Sequence, residues 1–264
     1  YLALAEKDPS NLPWSSLGID IVIESTGRFT SGEEALAHVR AGAKKVIISA
    51  PAKDEATKTV VLGVNEAELQ VSDQVISMAS CTTNCLAPVT EVIRQNFGIK
   101  KAVMTTIHSY TADQNLVDGP HKDLRRARAA ALNIVPTTTG AAISVTETIP
   151  SLKNSFDGLA VRVPTPVGSL CDTVFLLKKK TTAQAVNQAF KKAASSKFKH
   201  IIEASEEELV STDIVGNPHS AIVDLLTTKV IGGDLLKLVA WYDNEWGYAN
   251  RLVELAVYSQ KNKK

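Results

Sequence analysis

Ser80-Cys81-Thr82-Thr83-Asn84-Cys85 sets two thiols one helical turn apart, between the apolar run Gln74-Val75-Ile76-Ser77-Met78-Ala79 and a helical pattern over residues 86–97. A thiol where a strand hands over to a helix meets unpaired N–H groups and the positive end of the helix dipole. That setting lowers a thiol pKa and makes a nucleophile. The competing reading is a pair of small buried apolar side chains, a common fate of free cysteine. His108 ends the strand-like run Lys101-Ala102-Val103-Met104-Thr105-Thr106-Ile107. A helix that runs back and a strand that returns bring Cys81 and His108 to the same side of a sheet, as a nucleophile–base pair; taken singly, His108 reads equally as a structural polar residue. Thr137-Thr138-Thr139-Gly140 opens a helix, and such a start can cap the helix or hold an anion. Arg162, amid apolar residues, either snorkels or, with Thr111, grips an anion. Metal chemistry is poorly supported, since no second Cys or His pair completes a four-ligand set with Cys81 and Cys85. Cys171 reads as core.

The elements that must position these residues start with a strand at Ile19-Asp20-Ile21-Val22-Ile23-Glu24. A helix follows, with Ser31 and Glu34 at capping-box spacing and Gly42 as its C′ glycine. Lys45-Val46-Ile47-Ile48-Ser49 is the next strand, which makes a βαβ unit and predicts a parallel sheet. Val60-Val61-Leu62 and Val75-Ile76-Ser77 add short strands. Thr26-Gly27-Arg28-Phe29 and Ser49-Ala50-Pro51 fall at carboxyl ends of strands, where such sheets bind ligands, though each reads equally as an ordinary turn. No G-x-G-x-x-G occurs, so the pyrophosphate turn of a dinucleotide sheet is not in this sequence, and the pattern reads as that of an N-terminally truncated or partial protein. Pro88 either kinks the helix over residues 86–97 or marks its regular start. Residues 109–136 show no periodicity, and a span of that kind is functional or an interface. Further on come strands at 159–163 and 169–177, a helix over 182–195, antiparallel strands at 221–223, 229–231 and 235–241, and a final helix with Leu252, Leu255, Ala256 and Tyr258 inward. The fold class is therefore α/β plus α+β: a partial doubly wound nucleotide-binding sheet, then a mixed or antiparallel-sheet catalytic domain. The expected division is residues 1–80, completed by the helix at 245–264, and residues 81–244.

Composition narrows the function classes. The chain has 264 residues, 44% hydrophobic and 22% charged, with net charge +1. That balance gives no electrostatic case for nucleic acid or a membrane surface, and the Arg125-Arg126-Ala127-Arg128 cluster reads as solvated or subunit-facing. Three cysteines make no disulfide framework and suit a reducing compartment, the cytoplasm.

Ser80-Cys81-Thr82-Thr83-Asn84-Cys85-Leu86-Ala87-Pro88 resembles the active-site signature of the phosphorylating glyceraldehyde-3-phosphate dehydrogenase family. The resemblance extends through His108-Ser109-Tyr110-Thr111, Arg125-Arg126-Ala127-Arg128-Ala129-Ala130-Ala131, Pro136-Thr137-Thr138-Thr139-Gly140-Ala141-Ala142, Arg162-Val163-Pro164-Thr165-Pro166 and Trp241-Tyr242-Asp243-Asn244-Glu245-Trp246-Gly247-Tyr248. It implies that Cys81 attacks the aldehyde and that His108 is general base and thiolate partner. Hydride would pass to the nicotinamide, and inorganic phosphate would release the acyl group from Cys81. It implies an inorganic-phosphate site at Ser80, Thr82, Thr139 and Gly140, and a substrate-phosphate site at Thr111 and Arg162. It places Thr26, Gly27, Phe29, Ser49, Asn244 and Tyr248 around the cofactor, NAD, with NADP as the second choice. It implies a homotetramer, with residues 123–131 packed beside a neighbouring subunit. Asp113 departs from the threonine that many relatives carry there. An erythrose-4-phosphate dehydrogenase, a silent fragment that retains the motifs, and a cysteine protease are the other readings.

Overall fold

The computed structural model describes residues 2–261; residues 262–264, the tip of the expected final helix, lie outside it, as does Tyr1. A short helix α1 (Trp14–Leu17) leads into β1 (Ile21–Glu24), α2 (Gly32–Arg40) and β2 (Lys45–Ile48). Ser31 accepts from the Glu34 amide while the Glu34 carboxylate accepts from the Ser31 amide, so the capping box is formed as read. Gly42 has φ +113°, and a Cβ there would lie 2.6 Å from the Ser15 backbone. Only glycine satisfies both demands. The next strands are β3 (Lys58–Thr59) and β4 (Val75–Ser77), and the four make a parallel sheet in the order β1-β2-β4-β3. Val60-Val61-Leu62 is not the strand. The ladder lies one step earlier, because Asn65 Oδ1 takes the Val61 amide and turns the chain away.

The spine of the molecule is α3 (Cys81–Phe97), a single element with Pro88 inside it. It starts five residues before the apolar periodicity does. Its side chains from Thr82 to Ile93 are buried all round, as expected of a helix enclosed by the rest of the fold. Polar members are tolerated where they find partners: Asn84 Nδ2 donates to the carbonyls of Met78 and Ser80 at 2.8 and 3.0 Å. Each fully buried Leu86, Val89 or Ile93 side chain contributes roughly 1.5–3 kcal/mol.

Around it wraps the second sheet. Its strands begin with β5 (Ile99–Ser109) and β6 (Val135–Thr137); then, after α4 (Ala141–Thr148), come β7 (Phe156–Val163) and β8 (Ser169–Leu177). After α5 (Ala183–Ala194) follow β9 (Ile202–Ser205), β10 (Ala221–Asp224), β11 (Lys229–Ile231) and β12 (Leu235–Tyr242), and the chain closes with α6 (Trp246–Lys261). The order is β6-β7-β5-β8-β12-β10-β9, with β11 on β12. The sheet is mixed: β5–β7 and β9–β10 are parallel, the others antiparallel. β9 and β6 are strands that periodicity did not reveal, each too short for a pattern to register. α3 contacts β5, β8, β10 and β12 on one face of this sheet, and α4, α5 and α6 beside it. Between Ser109 and Val135 there is no helix or strand. That span folds on itself through backbone bonds such as Asn115 to Arg126 and Gly119 to Ala127. No helix among the described residues is long and apolar enough to cross a membrane.

Candidate active site

Sheet register does the first work. His108 on β5 pairs with Arg162 on the parallel neighbour β7, so their side chains stand next to each other on one face. Thr106 lies two residues back on that face and pairs with Cys171 of β8, which in turn pairs with Ala240 of β12. Tyr242 stands two residues beyond Ala240, opposite Ser169. This is the face on which α3 packs, and the helix begins there with Cys81.

The start of α3 is tightly held. Ser80 Oγ accepts from the Thr83 amide at 3.1 Å, an N-cap. The preceding residue, Ala79, has φ +53°, a left-handed conformation that costs a non-glycine residue about 1 kcal/mol or more. Two side chains over-determine it. Ser77 Oγ accepts from its amide at 2.9 Å, and the Tyr248 hydroxyl donates to its carbonyl at 3.1 Å. Tyr248 thereby ties α6 to the turn that aims Cys81.

Cys81 Sγ lies 3.5 Å from His108 Nε2. The Ser109 carbonyl lies 2.7 Å from His108 Nδ1 and accepts from Arg162 Nη1 at 3.0 Å. Nδ1 therefore carries the ring proton, and Nε2 turns its lone pair to the thiol. Arg162 Nη1, 3.2 Å from Nδ1, acts on the ring as a nearby charge rather than as a donor. The ring rests edge-on against Tyr242, with centroids 5.9 Å apart. Burial pushes the imidazole down to about 4, and Arg162 adds to the shift. Burial pushes the Cys81 thiol up to about 11, against smaller opposing effects of Thr82 and Arg162. The expectation of a depressed thiol is thus not met. Desolvation at the foot of the sheet outweighs the helix terminus and disfavours charge on either partner alone.

Arg162 extends the chain of contacts. Its Nη1 donates to Thr111 Oγ1 at 3.0 Å, and Thr111 Oγ1 donates in a very short bond to Asp113. Arg126 Nη1 donates to the other Asp113 oxygen at 2.5 Å, its Nε to Thr137 Oγ1 at 3.0 Å and its Nη2 to the Thr138 carbonyl at 2.9 Å. Arg126 is therefore neither solvated nor turned outward, unlike its exposed neighbours Arg125 and Arg128. It links the Thr111–Arg162 pair to the hydroxyl-rich segment before α4, where Thr139 Oγ1 accepts from the Ala141 amide at 3.2 Å. A Cβ at Gly140 would meet nothing within 4 Å, so packing does not dictate that glycine. Thr82, buried, shares a 2.8 Å hydrogen bond with Tyr242, whose hydroxyl also meets Thr106 Oγ1 at 2.9 Å. Tyr242→Phe keeps the ring and takes the hydroxyl partner from buried Thr82, while Thr106 Oγ1 keeps its bond to the Leu170 carbonyl. A loss of about 1–3 kcal/mol in the urea unfolding free energy is expected, and an unchanged midpoint would refute this role.

The cofactor candidates fall into two groups. Thr26, Gly27, Phe29 and Ser49 follow β1 and β2 at their carboxyl ends, with no direct contact to the thiol. Buried Glu24 holds this loop, accepting from the Thr26 amide at 2.8 Å and from the Thr26 hydroxyl. Its other oxygen accepts from His38 Nε2 at 2.9 Å, while Trp14 Nε1 donates to His38 Nδ1 at 3.0 Å and Phe29 packs edge-on against that ring. Asn244 is the second group. Its Oδ1 accepts from the Gly168 amide at 3.2 Å and from Ser169 Oγ at 2.9 Å, and Ser169 Oγ accepts from the Ser109 amide at 3.1 Å. Asn244 is thus fixed to the residue next to His108. Gly168, φ +93°, must be glycine, since a Cβ would sit 2.4 Å from the Ser211 carbonyl oxygen.

Residues 80–244 match the family described as glyceraldehyde 3-phosphate dehydrogenase, C-terminal domain. The chain is 57% identical over 254 residues to the glyceraldehyde-3-phosphate dehydrogenase of Mycobacterium avium, across 96% of this chain and 74% of that protein. The chain belongs to the glyceraldehyde-3-phosphate dehydrogenase family. Its similarity to the Geobacillus stearothermophilus protein of that name is 55% over 255 residues, spanning 76% of the relative, and to that of Streptomyces coelicolor 54% over 257 residues, again 76%. Within this family fold, sequence reasoning missed Arg126, Tyr242, Ser169 and the Glu24–His38–Trp14 set. The Arg-rich run was visible, but which arginine turns inward depends on how residues 110–134 fold. Tyr242 was visible in the loop motif, but its hydroxyl finds Thr82 and Thr106 only through sheet register.

Proposed function

We propose that this chain carries out the phosphorylating oxidation of D-glyceraldehyde 3-phosphate to 1,3-bisphosphoglycerate with NAD as the electron acceptor. The observation that carries the reading is one unbroken line of contacts from Cys81 through His108 and Arg162 to Thr111. A nucleophile, its base and a phosphate grip are joined contact by contact.

Cys81 Sγ attacks the aldehyde carbon as its proton passes to His108 Nε2. Each group is held neutral by burial when the other is neutral. The thiolate and imidazolium form together, because opposite charges in contact offset the cost of burying either. Arg162 and Thr111 hold the substrate's phosphate, which fixes the carbonyl over the thiol. The phosphate dianion at Arg162 also offsets the cation that depresses His108, so substrate binding makes the imidazole a better base. His108 returns that proton to the alkoxide so formed, and takes it back from the hemithioacetal hydroxyl as the hydride leaves the carbon. NAD, when bound, supplies the hydride acceptor, and the acyl group is left as a thioester on Cys81. Inorganic phosphate, held by Ser80, Thr82, Thr139 and Gly140 in this reading, displaces the thiolate.

The residues present fit a nicotinamide cofactor. The Asn244 amide nitrogen takes no bond within the described protein, while its oxygen is fixed, so a donor is presented to a carboxamide. Thr26, Gly27, Phe29 and Ser49, at the strand ends of the parallel sheet, would line the remainder. We assign the parallel sheet with α6 to cofactor binding and residues 81–244 to catalysis. Exposed Leu116, Val117, Leu124, Leu132 and Ile134, all at least 69% accessible, support a homotetramer in which residues 110–134 meet a second copy. Cytoplasmic residence accords with unpaired thiols at Cys81, Cys85 and Cys171.

The test is NADH formation from glyceraldehyde 3-phosphate with and without inorganic phosphate. Steady turnover that needs phosphate, from a preparation that sediments as a tetramer, is expected. Equal turnover without phosphate favours the hydrolytic erythrose-4-phosphate type and refutes the reading.

A further inference from the structure

The substrate-phosphate grip already contains an anion. Asp113 Oδ1 accepts from Thr111 Oγ1 and lies 3.9 Å from Arg162 Nη2, and Oδ2 accepts from Arg126 Nη1 at 2.5 Å. These three partners are the groups a phosphate would need. The arginines are mostly enclosed, with side-chain exposures of 14% for Arg162 and 19% for Arg126, whereas Asp113 is 43% exposed. The carboxylate therefore lies on the solvent side of two inward cations. Asp123, the other carboxylate near Arg126, is 3.5 Å away and is engaged by Thr137 Oγ1 and the Arg125 amide. Arg162 Nε stays buried without a partner, and a carboxylate has two oxygens where a phosphate monoester offers three.

We infer that Asp113 is a built-in counter-ion of this site, which holds Thr111, Arg126 and Arg162 in place until the substrate's phosphate displaces it. Two cations facing each other without an anion would repel and turn outward. Asp113 prevents that, at the cost of competing with every incoming anion. Its charge thus sets how strongly the site retains a phosphate and how readily a phosphorylated product leaves. The inference rests on the reading of Arg162 and Thr111 as the phosphate grip.

The test uses the full chain and no cofactor. Alkylation of Cys81 is followed with anionic iodoacetate and neutral iodoacetamide, while sulfate is titrated as an unreactive phosphate mimic. In Asp113→Asn, the sulfate concentration giving half protection should fall about tenfold, the effect of one removed charge at this range. The iodoacetate-to-iodoacetamide rate ratio should rise with it, and this ratio cancels changes in thiol reactivity. Asp113→Glu, which restores the charge, should return both to within about threefold of the parent. Asp113→Ser serves if the Asn variant does not melt cooperatively. Sulfate protection in the parent with no tightening, or with weakening, in the neutral variants overturns the counter-ion role alone. No protection in the parent or the neutral variants overturns the phosphate grip as well.

Discussion

Cys81→Ser loses turnover by about 10⁴-fold or more, and no acyl-enzyme is recovered. The serine hydroxyl would sit near His108 Nε2, as Sγ does at 3.5 Å. Geometry is therefore not what fails. A hydroxyl is a far weaker nucleophile at this pH, and an ester lacks the reactivity of a thioester towards phosphate. The check is mass spectrometry of the chain quenched after a single turnover, alongside NADH formation. Cys85→Ala is the contrast. Cys85 is fully buried, and its thiol donates to the Ala240 carbonyl at 3.9 Å and lies beside Cys171, away from His108, so this variant should lose stability and keep the acyl adduct. An adduct that survives Cys81→Ser, or disappears in a folded Cys85→Ala, would reverse the assignment of the two thiols.

His108→Asn should lower kcat/KM by about 10²–10⁴-fold, the usual range for loss of a general base. It should also change the acid stability of the fold. The ordinary imidazole pKa of 6.5 falls to about 4 here, because burial and then Arg162 disfavour the cation. Between those values the unfolded chain takes up a proton and the folded chain does not. Stability is thus fully present above pH 6.5 and is lost as pH falls towards 4, by about 3 kcal/mol. An asparagine side chain takes up no such proton, so the variant should show a shallower acid decline in urea midpoints between pH 7 and 4.5. Cys81 acts on the alkaline side, since its thiol is raised from 9.0 to about 11 by burial. The unfolded chain loses that proton first, so stability declines as pH rises through this window, and Cys81→Ser should remove the decline. An acid slope identical in His108→Asn and the parent would mean that His108 is not held neutral.

Burial disfavours charge on Cys81 and on His108 alike. A thiolate at rest would be open to oxidation and to stray electrophiles. A thiol that surrenders its proton only to His108 becomes reactive when the imidazole is made more basic, which a phosphate at Arg162, as proposed, would do. The arginine proposed to hold the substrate's phosphate is also the one that depresses the base. Asp113, lying between Arg162, Arg126 and Thr111, opposes the effect of Arg162 on His108.

Local sequence determined a good deal. The Ser31–Glu34 capping box, the parallel β1–α2–β2 unit, β8 and the Thr182-capped α5 follow from caps, glycine positions and periodicity, because each depends on residues within a few turns of one another. The thiol at the head of α3 and the imidazole at the end of β5 were legible for the same reason, and the motif set carried the family. Tertiary structure decided the remainder. Val60-Val61-Leu62 is apolar enough for a strand, yet the Asn65 side chain takes its amide. Arg126 and its neighbours Arg125 and Arg128 are chemically alike, and only the fold of residues 110–134 turns one of them onto Asp113. Register across β5, β7, β8 and β12 gathers His108, Arg162, Ser169 and Tyr242, which lie far apart in the chain. The protonation of the central pair was misjudged from sequence for a physical reason: a helix terminus is a local feature, whereas desolvation depends on everything packed around the sulfur.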